Sequence, residues 1–121
     1  MKSRKQILLG TILIAFSFSS LASAKDYSEE QLFQNFAYAA CVASAYQSKE
    51  VTADANRAAS GYLEFGHLSL DAYQEIQKRI NTWLEKKYIS KSGKSLQLMK
   101  CIDFYHSGDI QKIYKKYTPQ K

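Results

Sequence analysis

Two cysteines, Cys41 and Cys101, are the only ones in the chain, and the residues at the N-terminus decide what state they are in. Lys2, Arg4 and Lys5 form a basic start, residues 7–18 a mostly apolar run, and Ala22-Ser23-Ala24 a small-x-small cleavage site. That is the layout of a secretory signal peptide, and its apolar run is too short for a membrane span. Cleavage after Ala24 is expected to leave residues 25–121 as one domain; the alternative is an uncleaved amphipathic anchor. No cysteine lies next to the cut, which argues against a lipid-modified start. An even number of cysteines in a small exported chain reads as a disulfide, the alternative being two buried thiols. The Cys41–Cys101 pair would close a loop of roughly 60 residues, and chain-entropy reasoning makes such a bridge stabilising by roughly 4 kcal/mol.

Export also changes what the charge means. The signal carries three of the 17 basic residues and none of the 11 acids, so its loss lowers the formal balance from +6 to +3. A strongly basic composition points toward nucleic acid, but here it is partly a targeting device, and the remainder only tolerates an acidic partner. Beyond the signal no apolar stretch is long enough to insert in a membrane.

The rest of the chain carries helical periodicity, with its one proline at position 119. A first helix is expected over residues 28–47, with Ser28 and Gln31 as a capping box. Leu32, Phe36, Ala39, Ala40 and Ala43 recur at helical spacing, while Tyr38, Cys41, Val42 and Ala45 fall on other sides. A helix apolar nearly all round belongs at the centre of a bundle. A shorter helix is expected over residues 53–62, capped by Thr52 and ended near Gly66. Residues 69–87 predict an amphipathic helix capped by Ser69, with Tyr73, Ile76, Ile80, Trp83 and Leu84 on one face. A loop over residues 89–95 leads to a fourth helix over residues 96–106, expected to bury Leu98, Cys101, Ile102 and Tyr105. Gly108 breaks it, and Asp109 is expected to cap a last helix bearing Ile110, Ile113, Tyr114 and Tyr117. The fold class is therefore all-α, a compact bundle of four to five helices with one disulfide.

No catalytic or metal-binding set is expected, and no cofactor. Gly93-Lys94-Ser95 matches the end of a phosphate loop, but Tyr88 stands where such a loop needs glycine and a helix precedes it instead of a strand. His67 and His106 form no paired ligand spacing, and with both cysteines bridged too few donors remain for zinc. A bridged cysteine is also no nucleophile. Glu64, Glu75 and Glu85 are spread along solvent faces. Two features do stand out. Tyrosine is abundant, at nine residues, and it serves both cores and protein interfaces. Lys86, Lys87, Lys91, Lys94 and Lys100 lie in a stretch without acids, which is either a solvated basic edge or a loop-centred patch meeting an acidic cleft. The small side chains of Ser92 and Gly93 suit entry into a narrow groove.

Three stretches carry a resemblance to a known family: Asn35-Phe36-Ala37-Tyr38-Ala39-Ala40-Cys41, Ala59-Ser60-Gly61-Tyr62-Leu63-Glu64-Phe65, and the run from the Lys91-Ser92-Gly93-Lys94-Ser95 loop through Leu98, Met99 and Cys101 to Tyr105-His106-Ser107. With the signal peptide and the length, they resemble the type VI secretion amidase immunity proteins paired with the fourth class of amidase effectors. The resemblance implies a periplasmic, helical, homodimeric inhibitor, each dimer holding two copies of a papain-like amidase that cuts peptidoglycan between D-glutamate and meso-diaminopimelate. It further implies that a protruding loop plugs the enzyme's cleft while a helix of the second subunit braces the complex. On this chain the plug would be Lys91, Ser92, Gly93, Lys94 and Ser95, the bridge Cys41–Cys101, and the bracing helix the exposed part of residues 69–87. The other readings are an inhibitor or adaptor for a different periplasmic partner and a helical small-ligand carrier.

Overall fold

The computed structural model describes residues 26–119; the expected export segment at residues 1–24 lies outside them. Five helices follow in order: α1 Glu29–Ala45, α2 Lys49–Phe65, α3 Leu70–Leu84, α4 Gln97–His106 and α5 Asp109–Tyr117. Cys41 and Cys101 are bridged, with their Cα atoms 5.6 Å apart. No helix among the described residues is long and apolar enough to cross a membrane.

α1 starts as its sequence dictates. The Ser28 hydroxyl accepts from the Gln31 amide, and the Gln31 side chain accepts from the Ser28 amide, so two of the four orphan donors of the first turn are satisfied reciprocally. Glu29 and Glu30 sit against the positive pole of the helix. α1 buries residues on more than one side, among them Phe33, Ala37, Ala39, Ala40 and Cys41, and touches all four other helices. Its central place follows from its alanines, which let neighbouring backbones approach closely.

α2 begins four residues before the expected start at Ala53, and its cap is Ser48, not Thr52. The Ser48 hydroxyl accepts from the Val51 amide at 3.4 Å. Thr52 lies within the first turn and donates its hydroxyl to the Tyr46 carbonyl at 2.9 Å, closing the α1–α2 corner. The helix ends before Gly66, as expected, but Gly66 is extended rather than left-handed (φ −81°). The structure uses glycine there for space: a Cβ would run into the Tyr73 hydroxyl. α2 packs on α1 alone, through Ala55 and Ala59.

α3 has Ser69 at its cap position, although the Ser69 hydroxyl makes no capping bond. The helix ends at Leu84, short of the expected Lys87. Tyr73, Ile76 and Ile80 are buried together with Ala72, while Trp83 and Leu84 are half-buried. α5 is capped by Gly108, which is left-handed at φ +86°, so Asp109 is the first helical residue and not the cap. The Asp109 carboxylate instead accepts from the Trp83 indole at 2.9 Å and lies near Arg79, tying α5 to α3. A second tie runs from Glu75 to the Tyr117 hydroxyl and the Lys116 ammonium. Those two bonds hold the Glu75 carboxyl below the usual range, and the same carboxylate pushes the Tyr117 phenol up. Phe33, Ile76, Ile80, Phe104, Ile110 and both sulfurs form the solvent-free centre.

Candidate functional site

The α3–α4 connection is positioned by the first turns of α4, and α4 is not oriented as its apolar residues suggest. Leu98 and Ile102, expected inside, are 44% and 39% exposed, and Tyr105 is half-buried. The inward face is Gln97, Lys100, Cys101 and Phe104, spaced i, i+3, i+4, i+7. Cys101 is fixed by the bridge to α1. Phe104 is fully buried beside Trp83. The Gln97 amide group donates to the carbonyl of Ala45, the last residue of α1, at 3.0 Å. The Lys100 ammonium donates to the carbonyl of Leu84, the last residue of α3, at 2.9 Å. Both carbonyls belong to helix C-termini, where no intrahelical donor remains, and a cation there also meets the negative pole of α3.

Above this base, residues 88–96 form a narrow hairpin. At its neck the Leu96 amide donates to the Tyr88 carbonyl at 2.9 Å, and Ile89 and Ser95 form an antiparallel bridge. One step out, the Ser90 amide donates to the Lys94 carbonyl at 2.8 Å, and the Gly93 amide closes the tip on the Ser90 carbonyl. The Ser90 hydroxyl accepts from the Lys94 amide and bonds the Ser92 hydroxyl. Gly93 has φ +80°, the left-handed residue that a three-residue hairpin tip requires. The Asp103 carboxylate on α4 holds the Tyr88 phenol above its ordinary value.

The structure thus gathers Lys91, Ser92, Gly93, Lys94 and Ser95 in one exposed hairpin. It breaks up the basic stretch around them. Lys100 is buried, with 6% exposure, and serves α3. The Lys86 ammonium lies 3.2 Å from the centroid of the Trp83 ring, a cation–π contact. Lys87, Lys91 and Lys94 remain exposed. What reasoning from residue types missed is the apolar surface beside the loop: Ile89 at its neck is 62% exposed, and Leu98, Met99 and Ile102 lie on the outer side of α4. Exposed apolar groups of this kind are candidates for contact with a partner. The only available signal was Cys101, whose bridge limits how α4 can turn. Of the nine tyrosines, Tyr73 is buried and the others are half-buried, with ring pairs such as Tyr38–Tyr105 and Phe36–Tyr73. On the α1 side of α4, an open cleft of about 300 Å³ is lined by Asn35, Tyr38, Ile102, Tyr105 and His106.

Neither histidine joins a ligand set, and no group of three potential metal ligands exists among the described residues. His67 contacts the Glu29 carboxylate through its backbone amide and its ring. Burial raises the Glu29 pKa, but the bonds from His67 outweigh it and leave the carboxyl below its ordinary value.

Comparison with known proteins agrees with this architecture. A family model described as "Type VI secretion system (T6SS), amidase immunity protein", Tai4, matches residues 31–114. Among solved structures, a chain of the Tae4/Tai4 effector–immunity system from Salmonella typhimurium is 33% identical, with a TM-score of 0.73, covering 78% of this chain and 93% of that one. A chain of the complex between the Salmonella typhimurium effector Tae4 and the Enterobacter cloacae immunity protein Tai4 is 23% identical, with a TM-score of 0.66 and coverage of 78% and 97%. The Tae4–Tai4 complex from Enterobacter cloacae matches at the same identity and TM-score, with coverage of 78% and 96%. Comparison with curated proteins gives no match. The alignment to the family spans α1 to α5, and this chain belongs to the Tai4 family of type VI secretion system amidase immunity proteins.

Proposed function

We propose that this protein is exported to the periplasm and protects its cell by binding a Tae4-type amidase effector, a cell-wall endopeptidase cutting between D-glutamate and meso-diaminopimelate. The hairpin Lys91–Ser95 enters the active-site cleft of the enzyme and blocks it. The observation that carries this reading is the exposed hairpin itself, held at its neck by backbone hydrogen bonds in a chain of an immunity family. A preformed loop loses little entropy on docking. Lys91 and Lys94 supply positive charge at the tip, which favours a cleft of negative potential. Ile89, Leu98 and Met99 beside it supply the apolar part of a contact. The protein acts as a homodimer, with two effectors bound per dimer and the exposed face of α3 bracing the effector held by the partner subunit. Mature protein begins at Lys25.

The first test is calorimetry of the mature protein with purified Tae4 from Salmonella typhimurium. That effector forms a complex with an immunity protein from another organism, which makes it a reasonable probe. Lys94→Glu is expected to weaken binding at least tenfold with no change in thermal stability. Gly93→Arg weakens it further but also strains the backbone, because a side chain at φ +80° costs roughly 1–2 kcal/mol; Lys94→Glu is therefore the decisive variant. Unchanged affinity for both would remove the hairpin from the interface. Light scattering of the mature protein checks the dimer.

A further inference from the structure

We propose that Lys100 is the positioning residue of the inhibitory hairpin: its buried ammonium fixes the spacing between the two ends of the loop, and so holds the hairpin in the conformation that binds. This rests on the reading of residues 91–95 as the contact with the amidase. The only buried charged side chain among the described residues is Lys100, and its partner is a backbone carbonyl, that of Leu84. Leu84 is the residue at which α3 ends, and Lys100 lies in the first turns of α4. A single hydrogen bond therefore spans the feet of the whole connection.

Two neighbours make the same kind of tie to α1. Gln97 reaches the Ala45 carbonyl, with its own side-chain oxygen accepting from the Ser95 hydroxyl, and Cys101 is bridged to Cys41. Both of these run to α1; toward the end of α3 there remain the packing of Phe104 on Trp83 and the polar tie from Lys100. Lys100 alone among the three ties reaches α3. Without it, the Leu84 carbonyl at the helix end loses its donor, and the two strands of the neck lose their common footing.

A lysine in this place could merely support the fold, and the test separates that from positioning. Mature wild type is compared with Lys100→Met, which keeps the apolar stem and removes the donor, and with Ile113→Val, a core change in α5 remote from the hairpin that serves as a control for general loss of stability. Hydrogen exchange is read at the amides of Ser90, Lys94 and Leu96, whose bonds form the neck, and at amides of α1. Dissociation from Salmonella typhimurium Tae4 is followed alongside. Lys100→Met is expected to speed exchange at the three loop amides roughly tenfold more than in α1, and to speed dissociation by roughly tenfold, the scale of ordering a few flexible groups. Ile113→Val is expected to change neither selectively. Loop exchange in Lys100→Met equal to wild type overturns the proposal. So does unchanged dissociation when Lys94→Glu does accelerate it. If neither Lys94→Glu nor Lys100→Met alters dissociation while loop exchange rises in the latter, the fault lies with the hairpin as contact surface, and the inhibitory role of Lys100 falls with it.

Discussion

Reducing the Cys41–Cys101 bridge should cost this domain a large part of its stability. The two residues are 60 positions apart, and cross-linking them removes from the unfolded chain the freedom of a loop of that length. The chain-entropy relation, with a logarithmic dependence on loop size, gives roughly 4 kcal/mol at 25 °C. Domains of this size hold roughly 5–15 kcal/mol in all. In the folded state both sulfurs are fully buried, so reduction leaves two buried thiols and little new cavity. The loss therefore falls mainly on the unfolded side. Urea unfolding of oxidised and reduced mature protein, followed by circular dichroism, measures it directly. Reduction should lower the unfolding free energy by about 4 kcal/mol, which for a domain this small corresponds to roughly 15–30 °C in melting temperature. The dependence on urea should also steepen, because a chain without the cross-link exposes more surface when it unfolds. A reduced protein within about 1 kcal/mol of the oxidised one would refute the entropy reasoning. It would mean that packing of α4 against α1 and α3 already holds the two ends together in both states.

The orientation of α4 is testable by contrast: Phe104→Ala, fully buried, should cost about 3–5 kcal/mol, while Ile102→Ala, 39% exposed, should cost only about 1–1.5 kcal/mol; urea midpoints in the opposite order would show the helix turned the other way. Gly66→Ala should destabilise by about 1–3 kcal/mol through overpacking, since the new methyl meets the Tyr73 hydroxyl and φ −81° itself suits alanine; adding Tyr73→Phe should recover part of the loss, and no recovery would point to the backbone instead. Glu75 has its pKa depressed by Tyr117 and Lys116, so its contribution is present above the ordinary carboxylate value of 4.5 and disappears as pH falls through the lower folded value. Glu75→Gln should therefore melt below wild type at neutral pH and converge with it in acid; parallel curves across that range would exclude the linkage.

The helix content and the central helix were legible because their signals are local. The Ser28–Gln31 capping box and the many-sided apolar pattern of α1 both appear as written. The start of α2 was not legible, because Ser48 and Thr52 are both competent caps and only tertiary structure chooses between them. Thr52 is drawn away by the Tyr46 carbonyl, a partner supplied by the fold of the corner and not by spacing. Asp109 was misplaced for the same reason: its carboxylate is claimed by Trp83 and Arg79 of α3, and the left-handed Gly108 takes the cap position. In each case a polar side chain that reads as a local cap is used across the bundle.

The candidate site shows the same competition at its most consequential point. Cys101 must face α1, but a helical residue has neighbours on both sides, at positions 97 and 104 on one and 98 and 105 on the other. Hydropathy favours the side with Leu98, Ile102 and Tyr105. The structure turns the other way because that side brings Phe104 against Trp83 and offers donors to the carbonyls of Ala45 and Leu84 at two helix ends. Those two bonds, one from a charged donor, contribute about 0.5–3 kcal/mol each, and together with the full burial of Phe104 they outweigh what Leu98 and Ile102 would gain by moving from partial to full burial, about 1 kcal/mol each. The same rotation leaves Leu98, Met99 and Ile102 facing out beside the hairpin. Apolar groups that stability places outside are then available for a partner, so the capping of α1 and α3 and the exposed surface around Lys91–Ser95 are two consequences of one choice of helix rotation.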